Sequence, residues 1–135
     1  PRSDELLVSL AGPISNLLFG VAFALLLKLL LTASPQMFYS GRAGSVLFQI
    51  LSYLVWINLL LSVFNLFPIP PLDGSHILLS LLPDRFVRFR LVYLRYGRFI
   101  LIGLILLGGV TGYSLLPIGF LTSRLYQGLY DLLGM

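Results

Sequence analysis

The chain has 135 residues, of which 58% are hydrophobic and only 10% are charged. Together with a mean hydropathy of +0.97, this composition excludes an ordinary soluble domain, in which about 25% of residues are charged. The absence of cysteine excludes disulfides, cysteine-ligated zinc and thiol nucleophiles. No repeat or low-complexity linker divides the sequence, so we predict a single transmembrane domain over residues 1–135.

Three stretches are apolar enough to cross a membrane as helices, residues 6–27, 46–67 and 99–116. Each is close to the roughly 20 residues that a helix needs to span a hydrocarbon core of about 30 Å. After residue 117, leucines recur at helical spacing among polar residues, which is typical of an interfacial helix lying on the membrane; a short fourth span is the alternative. The sequence therefore predicts an all-α, polytopic transmembrane domain with about three spans and a C-terminal interfacial helix.

The first span contains the sequence Ala11-Gly12-Pro13, with Asn16 one turn further on. Proline lacks the N–H that a helix needs at this position, so we expect a kink or a locally open turn. Irregular backbone of this kind persists at membrane depth only where it packs on protein or faces water. The pattern predicts that this part of the span is not exposed to lipid.

The second span carries Asn58, Ser62 and Asn65 at a spacing that places them on one helical face. Such a polar stripe in an apolar helix indicates either hydrogen bonds between helices or the wall of a site. The second interpretation has more support at Asn65, because a proline cluster follows it.

An acid follows this proline cluster, after an uncharged run over residues 43–72. A carboxylate at membrane depth is costly and is a candidate functional residue, here Asp73. Because Pro68, Pro70 and Pro71 cannot continue a helix, we expect the chain before Asp73 to be extended, with open carbonyl groups that resemble the lining of a hydrated cavity. The alternative role for Asp73 is to cap a helix over residues 77–82.

His76 is the only histidine, three residues after Asp73 and on the same helical face if both are helical. It could bind a metal ion, but zinc normally takes three protein ligands plus water, and one aspartate with one histidine leaves the set incomplete. Two other roles remain open, a residue that supports the site or faces substrate, and a plain interfacial residue.

Positive charge is concentrated between the second and third predicted spans. By the positive-inside rule this segment faces the cytoplasm and residues 32–45 face outward. Attraction to anionic headgroups of the lipid bilayer accounts for the rest of this charge, and we expect no nucleic-acid partner. The arginines are Arg85, Arg88, Arg90, Arg95 and Arg98.

Two motifs together resemble one known family. Asn65-x-x-Pro68-x-Pro70-x-Leu72-Asp73-Gly74 is similar to a signature of the site-2 proteases, intramembrane zinc metalloproteases that cut membrane-embedded substrates. Ala11-Gly12-Pro13-x-x-Asn16 is similar to the second recurrent motif of that family, and the order of the two motifs agrees. The resemblance covers about residues 1–83, a partial protease core, and leaves the helices of residues 84–135 outside it.

The resemblance implies a role for each matching residue. Asp73 corresponds to a zinc ligand of the family, which makes Zn²⁺ the expected cofactor. The other matching residues are expected to bind substrate or to support the site, and they are Asn16, Asn65, Pro68, Pro70 and Gly74.

One part of the family pattern is missing from these 135 residues. Zinc hydrolases of this type use His-Glu-x-x-His, which supplies two imidazoles and a glutamate base, whereas this chain has one histidine and one glutamate, Glu5. We therefore expect no catalytic base within this chain and a preceding segment that supplies one. By itself the chain is expected to be inactive.

The predicted function is part of an intramembrane zinc metalloprotease that hydrolyses peptide bonds of membrane-embedded protein substrates. The main alternative is an inactive pseudoprotease or scaffold that binds transmembrane segments. A transporter built around the helix break at residues 68–71 is a weaker third possibility.

Overall fold

The computed structural model describes residues 2–39, 41–113 and 115–135, with side chains from Asp4 onward. Over these residues the chain forms helices and no strand, so the predicted all-α fold is confirmed. The helices are α1 (Arg2–Ala33), α2 (Gln36–Tyr39), α3 (Arg42–Asn65), α4 (Asp73–Leu81), a 3₁₀ helix (Asp84–Phe86), α5 (Val87–Thr111) and α6 (Ile118–Leu133).

Three helical segments within the described residues are long and apolar enough to cross a membrane, Asp4–Ala33, Arg42–Asn65 and Asp84–Thr111. The prediction of three spans is confirmed. The third span begins well before the predicted residue 99 and ends before residue 116, at Thr111. Arginine is a good helix former and keeps its charged end in water by extending its side chain. The arginine-rich segment therefore continues the helix instead of forming a loop.

Helices α1 and α3 form an antiparallel pair along one apolar core. Near the start of α1, the Pro13 carbonyl accepts a hydrogen bond from Ser62 Oγ at 2.8 Å. Further along, Gly20 lies against Leu59. The apolar core comprises Ala24, Leu27, Leu51, Val55 and Leu59, all buried, and Phe38 of α2 closes it at the far end.

Helix α1 continues through Pro13 as one helix, so the predicted open turn is not formed there. Pro13 is completely buried, and its carbonyl has the partner on α3 described above. A neighbouring helix that supplies such contacts allows proline to remain inside a membrane helix. The interhelical interpretation of the polar stripe is thus confirmed for Ser62, whereas Asn58 Nδ2 donates to Leu54 of its own helix at 2.8 Å.

Helix α6 packs along the second half of α3. Its Tyr126 and Tyr130 contact the apolar core, and Tyr126 meets the Trp56 ring edge-on, with 5.6 Å between ring centroids. At its C-terminal end, Lys28 Nζ of α1 donates a hydrogen bond to the Leu133 carbonyl, where a cation complements the helix dipole. These contacts make α6 a component of the helical bundle.

Candidate functional site

The segment between α3 and α4, residues 66–72, is termed the proline loop. Its backbone folds into successive turns, with hydrogen bonds from the Ile69 N–H to the Phe67 carbonyl at 2.8 Å and from the Leu72 N–H to the Ile69 carbonyl at 3.0 Å. The prediction of an extended chain before Asp73 was wrong for these turns, although Leu72 itself has an extended backbone, with φ −72° and ψ 152°. Proline prevents a helix here, but the intervening residues keep their N–H groups and use them for local turns.

Helix α4 begins at Asp73, and the capping position is occupied by Leu72, with no side-chain capping hydrogen bond. Asp73 is therefore not the helix cap that the alternative interpretation proposed, and the helix starts earlier than the expected residue 77. As an acid in the first turn, Asp73 still complements the helix dipole. Its carboxylate is not used to cap the backbone of α4.

Gly74 allows α4 to start directly against the beginning of the proline loop. A Cβ atom at this position would lie 2.2 Å from the Leu66 carbonyl oxygen and 2.5 Å from that of Phe67. Both atoms belong to the backbone and cannot move aside cheaply, so a larger residue would displace α4 or the loop. Since Asp73 is the adjacent residue, the same contact fixes the position of its backbone.

On the other side, Asp73 lies against α1. A Cβ atom at Gly12 would lie 2.8 Å from Asp73 Oδ2, which is closer than van der Waals contact permits. The two sequence motifs therefore meet in space, with the glycine of the first motif in contact with the carboxylate of the second. From the sequence, Gly12 was assigned no contact of its own, although its place in the motif was a signal for a close approach.

A cleft of about 510 Å³ opens beside this contact. Asp73 is half-buried and His76 is exposed. Ser9 lies one helical turn before Pro13, which has no N–H to donate to the Ser9 carbonyl. The cleft is thus bordered by carboxylates, one imidazole and a stretch of open backbone, and it is lined by Asp4, Glu5, Val8, Ser9, Asp73 and His76.

Among the described residues, no group of three or more histidine, aspartate or glutamate side chains is arranged to hold a metal ion. Zinc needs about three protein ligands at close to 2 Å, so these residues do not form a complete zinc site on their own. A half-buried carboxylate on the wall of a cleft can serve as one member of such a set. His76 lies on that wall too, three residues after Asp73.

The remaining predicted site residues lie at different places. Asn16 is half-buried on α1 and Asn65 is the half-buried last residue of α3, and neither lines the cleft. Pro70 is buried in the proline loop. Pro68 borders a second, mainly apolar cavity of about 560 Å³ between the proline loop and α6, whose lining also includes Arg124.

The model of peptidase family M50 matches residues 1–107 of this chain, which includes both motifs, the cleft and most of α5. This chain belongs to the site-2 protease family. The predicted family resemblance is confirmed, and the family match extends beyond the predicted residues 1–83 into α5.

Two curated relatives of this site-2 protease family chain are proteins named as zinc metalloproteases. "Putative zinc metalloprotease YwhC" of Bacillus subtilis strain 168 is 41% identical over 83 residues, which cover 62% of this chain and 37% of the relative. "Putative zinc metalloprotease MJ0611" of Methanocaldococcus jannaschii is 34% identical over 71 residues, 53% of this chain and 31% of the relative. The aligned parts amount to about a third of each relative. No solved structure matches the chain.

Proposed function

We propose that this chain forms the aspartate-bearing part of an intramembrane zinc metalloprotease that hydrolyses peptide bonds of membrane-embedded proteins. Asp73 would hold the metal as one ligand. The two histidines and the glutamate base would come from a part of the protein outside these 135 residues, which contain one histidine and one glutamate.

The observation that carries this proposal is the contact between Gly12 and the Asp73 carboxylate. It brings the two family motifs into contact beside the cleft that Asp73 lines, and the capping position of α4 is occupied by Leu72 instead of Asp73. An acid that follows a membrane span so closely and does not cap its own helix is a functional candidate.

When bound, zinc would supply Lewis-acid activation of a water molecule for attack on the peptide carbonyl. The residues of this chain would bind the zinc ion and orient the groups around it. Asp73 would occupy one coordination position, Gly12 and Gly74 would hold its carboxylate and backbone in place, and His76 would face the entrance of the cleft from the exposed side of α4. Asn16, Asn65, Pro68 and Pro70 would support the site or contact substrate.

The membrane orientation is part of the proposal. The cleft, the proline loop and the arginine-bearing half of α5 lie at one end of the bundle, since Arg90 donates a hydrogen bond to the Leu79 carbonyl of α4. By the positive-inside rule, this end faces the cytoplasm across the cell membrane. Because the segment has no cysteine, single-cysteine labelling tests this directly. A membrane-impermeant thiol reagent should label Ser34→Cys from outside and Pro83→Cys only after permeabilisation, and the reverse pattern would refute the orientation.

The function is tested by assaying the full-length protein for cleavage of a membrane-embedded substrate. Asp73→Asn keeps the shape of the side chain and removes its charge, so we expect cleavage to fall about 100-fold or more, beyond what loss of a supporting residue causes. Asp131→Asn, an exposed acid on α6, is the matched control and should cleave normally. Normal cleavage by Asp73→Asn, or no cleavage by the wild-type protein, would favour the alternative function, an inactive scaffold that binds transmembrane segments.

A further inference from the structure

Helix α5 is the least enclosed of the three spans. Of its residues, all of which lie in the described part of the chain, only Gly97 and Leu101 are buried. Most of its surface therefore faces lipid or water, and its position relative to the bundle depends on a small number of contacts. Among those contacts are several to the proline loop and to α4.

Three residues of α5 make these contacts. Tyr93 Oη donates a hydrogen bond to the Pro68 carbonyl, and Arg90 donates one to the Leu79 carbonyl near the end of α4. At Gly97, a Cβ atom would lie 2.5 Å from Pro70 Cδ and 2.6 Å from Pro70 Cγ. One span, α5, thus contacts both the proline loop and the C-terminal end of α4.

The spacing of these residues has a simple geometric meaning. Residues 90, 93 and 97 are separated by three and four positions, so they lie on one face of the helix. Two of them satisfy backbone carbonyls. The hydroxyl of Tyr93 supplies a donor in a loop where three prolines have no N–H, and the guanidinium of Arg90 meets a carbonyl in the last turn of α4, where cations are favoured.

The contact at Gly97 is the tightest of the three. The ring of Pro70 is rigid and buried, so it cannot turn away from an added methyl group as a flexible side chain could. Any residue larger than glycine at position 97 must move α5 or the proline loop. Pro70 lies three residues before Asp73, so movement of the loop is passed to the start of α4.

We propose that Tyr93, Gly97 and Arg90 of α5 are positioning residues, which hold the proline loop and α4 so that Asp73 is presented at the cleft. This inference rests on the proposed function. It gives α5 a role in the site beyond crossing the membrane and carrying positive charge. The consequence is that lateral movement of a mostly exposed helix changes the geometry of the site without any change in the site residues.

The test uses pairs of variants on the same helix, made in the full-length protein. Gly97→Ala is compared with Gly103→Ala, where an added Cβ meets no atom within 4 Å. Tyr93→Phe, which removes only the hydroxyl donor, is compared with Tyr96→Phe, at a residue that is 52% exposed. Two quantities are measured, hydrogen exchange of residues 66–75 in zinc-free protein and zinc affinity in a metal buffer.

We expect Gly97→Ala to speed exchange in residues 66–75 by about 10-fold and to weaken zinc binding by about 10-fold. Tyr93→Phe should change both in the same direction and by less. Gly103→Ala and Tyr96→Phe should match the wild-type protein in both measurements. If Gly97→Ala does not fold, Tyr93→Phe carries the test alone.

Wild-type exchange and wild-type zinc affinity in Gly97→Ala or, where that variant does not fold, in Tyr93→Phe would overturn the proposal. Equal effects in the control variants would overturn it too, because they would indicate general loosening of α5. Asp73→Asn, measured in parallel, separates this outcome from failure of the proposed function. If zinc binding is lost in Asp73→Asn but unaffected in Gly97→Ala, only the role of α5 is refuted.

Discussion

The two ends of α1 are held against the rest of the bundle in different ways. At one end, the apolar core is built from fully buried aliphatic side chains such as Leu27 and Val55. At the other, the contacts are a hydroxyl on a proline carbonyl, from Ser62 to Pro13, and a glycine against a carboxylate, from Gly12 to Asp73. The apolar contacts make the helices pack together, whereas the polar contacts determine the position of one carboxylate.

This difference predicts that the two ends respond differently to substitution. Loss of aliphatic volume in the apolar core removes packing contacts and lowers stability. A small change beside Asp73 leaves most packing intact but moves the group proposed to bind metal. Stability and zinc affinity should therefore vary independently between the two ends.

The largest expected effect on stability comes from Leu27→Ala. Leu27 is completely buried against Leu51 and Phe38, so we expect the free energy of unfolding to fall by about 2 kcal/mol, measured by detergent-induced unfolding of the full-length protein. Zinc affinity of the folded fraction should not change. Leu29→Ala, on the same helix and 61% exposed, is the control. A loss of zinc affinity in the folded Leu27→Ala protein would show that the two ends are not separable.

The opposite pattern is expected for Gly12→Ala. The added methyl group would press on Asp73 Oδ2, the movable end of a side chain, so the helix should fold while zinc affinity falls about 10-fold. Gly20→Ala is a matched control on the same helix, because its methyl group would meet Leu59 of the apolar core. That variant should retain zinc affinity. Equal zinc affinity in the two alanine variants would contradict the role given to Gly12.

The smallest expected effect is that of Ser62→Ala. Loss of the hydrogen bond to Pro13 should lower the free energy of unfolding by about 0.6 kcal/mol, the average for such bonds inside membranes. Ser45→Ala removes a hydroxyl that bonds only to Arg42 of its own helix, and it should be neutral in the same unfolding assay. A larger loss from Ser45→Ala than from Ser62→Ala would argue against the interhelical bond as a stabilising contact.

Local sequence patterns predicted much of the fold. Uninterrupted apolar length located the first two spans, because a membrane helix must satisfy its own backbone and needs about 20 residues to cross. The third span was misplaced because hydropathy scores arginine as strongly polar, although arginine is a good helix former. The proline loop was predicted as extended because its prolines have no N–H groups. Ile69 and Leu72 do have N–H groups, and they use them to form turns.

The candidate site was predictable in its residues but not in its contacts. The motif around Asp73 and the motif around Gly12 were both visible in the sequence. Their meeting was not, because it depends on how α4 folds back onto α1 across 60 residues of intervening chain. The same limit applies to the contact between Gly97 and Pro70. A glycine in a membrane span allows many kinds of close approach, and the sequence does not show which residue approaches it.

The most direct test of the central claim is the zinc content of the full-length protein carrying Asp73→Asn, measured by elemental analysis beside the wild-type protein and Asp131→Asn. If Asp73 is a metal ligand, the wild-type and Asp131→Asn proteins should each contain about one zinc ion, as expected for a single catalytic site. Asp73→Asn should contain much less, although it inserts and folds normally. Full zinc content in a folded Asp73→Asn protein would contradict the account.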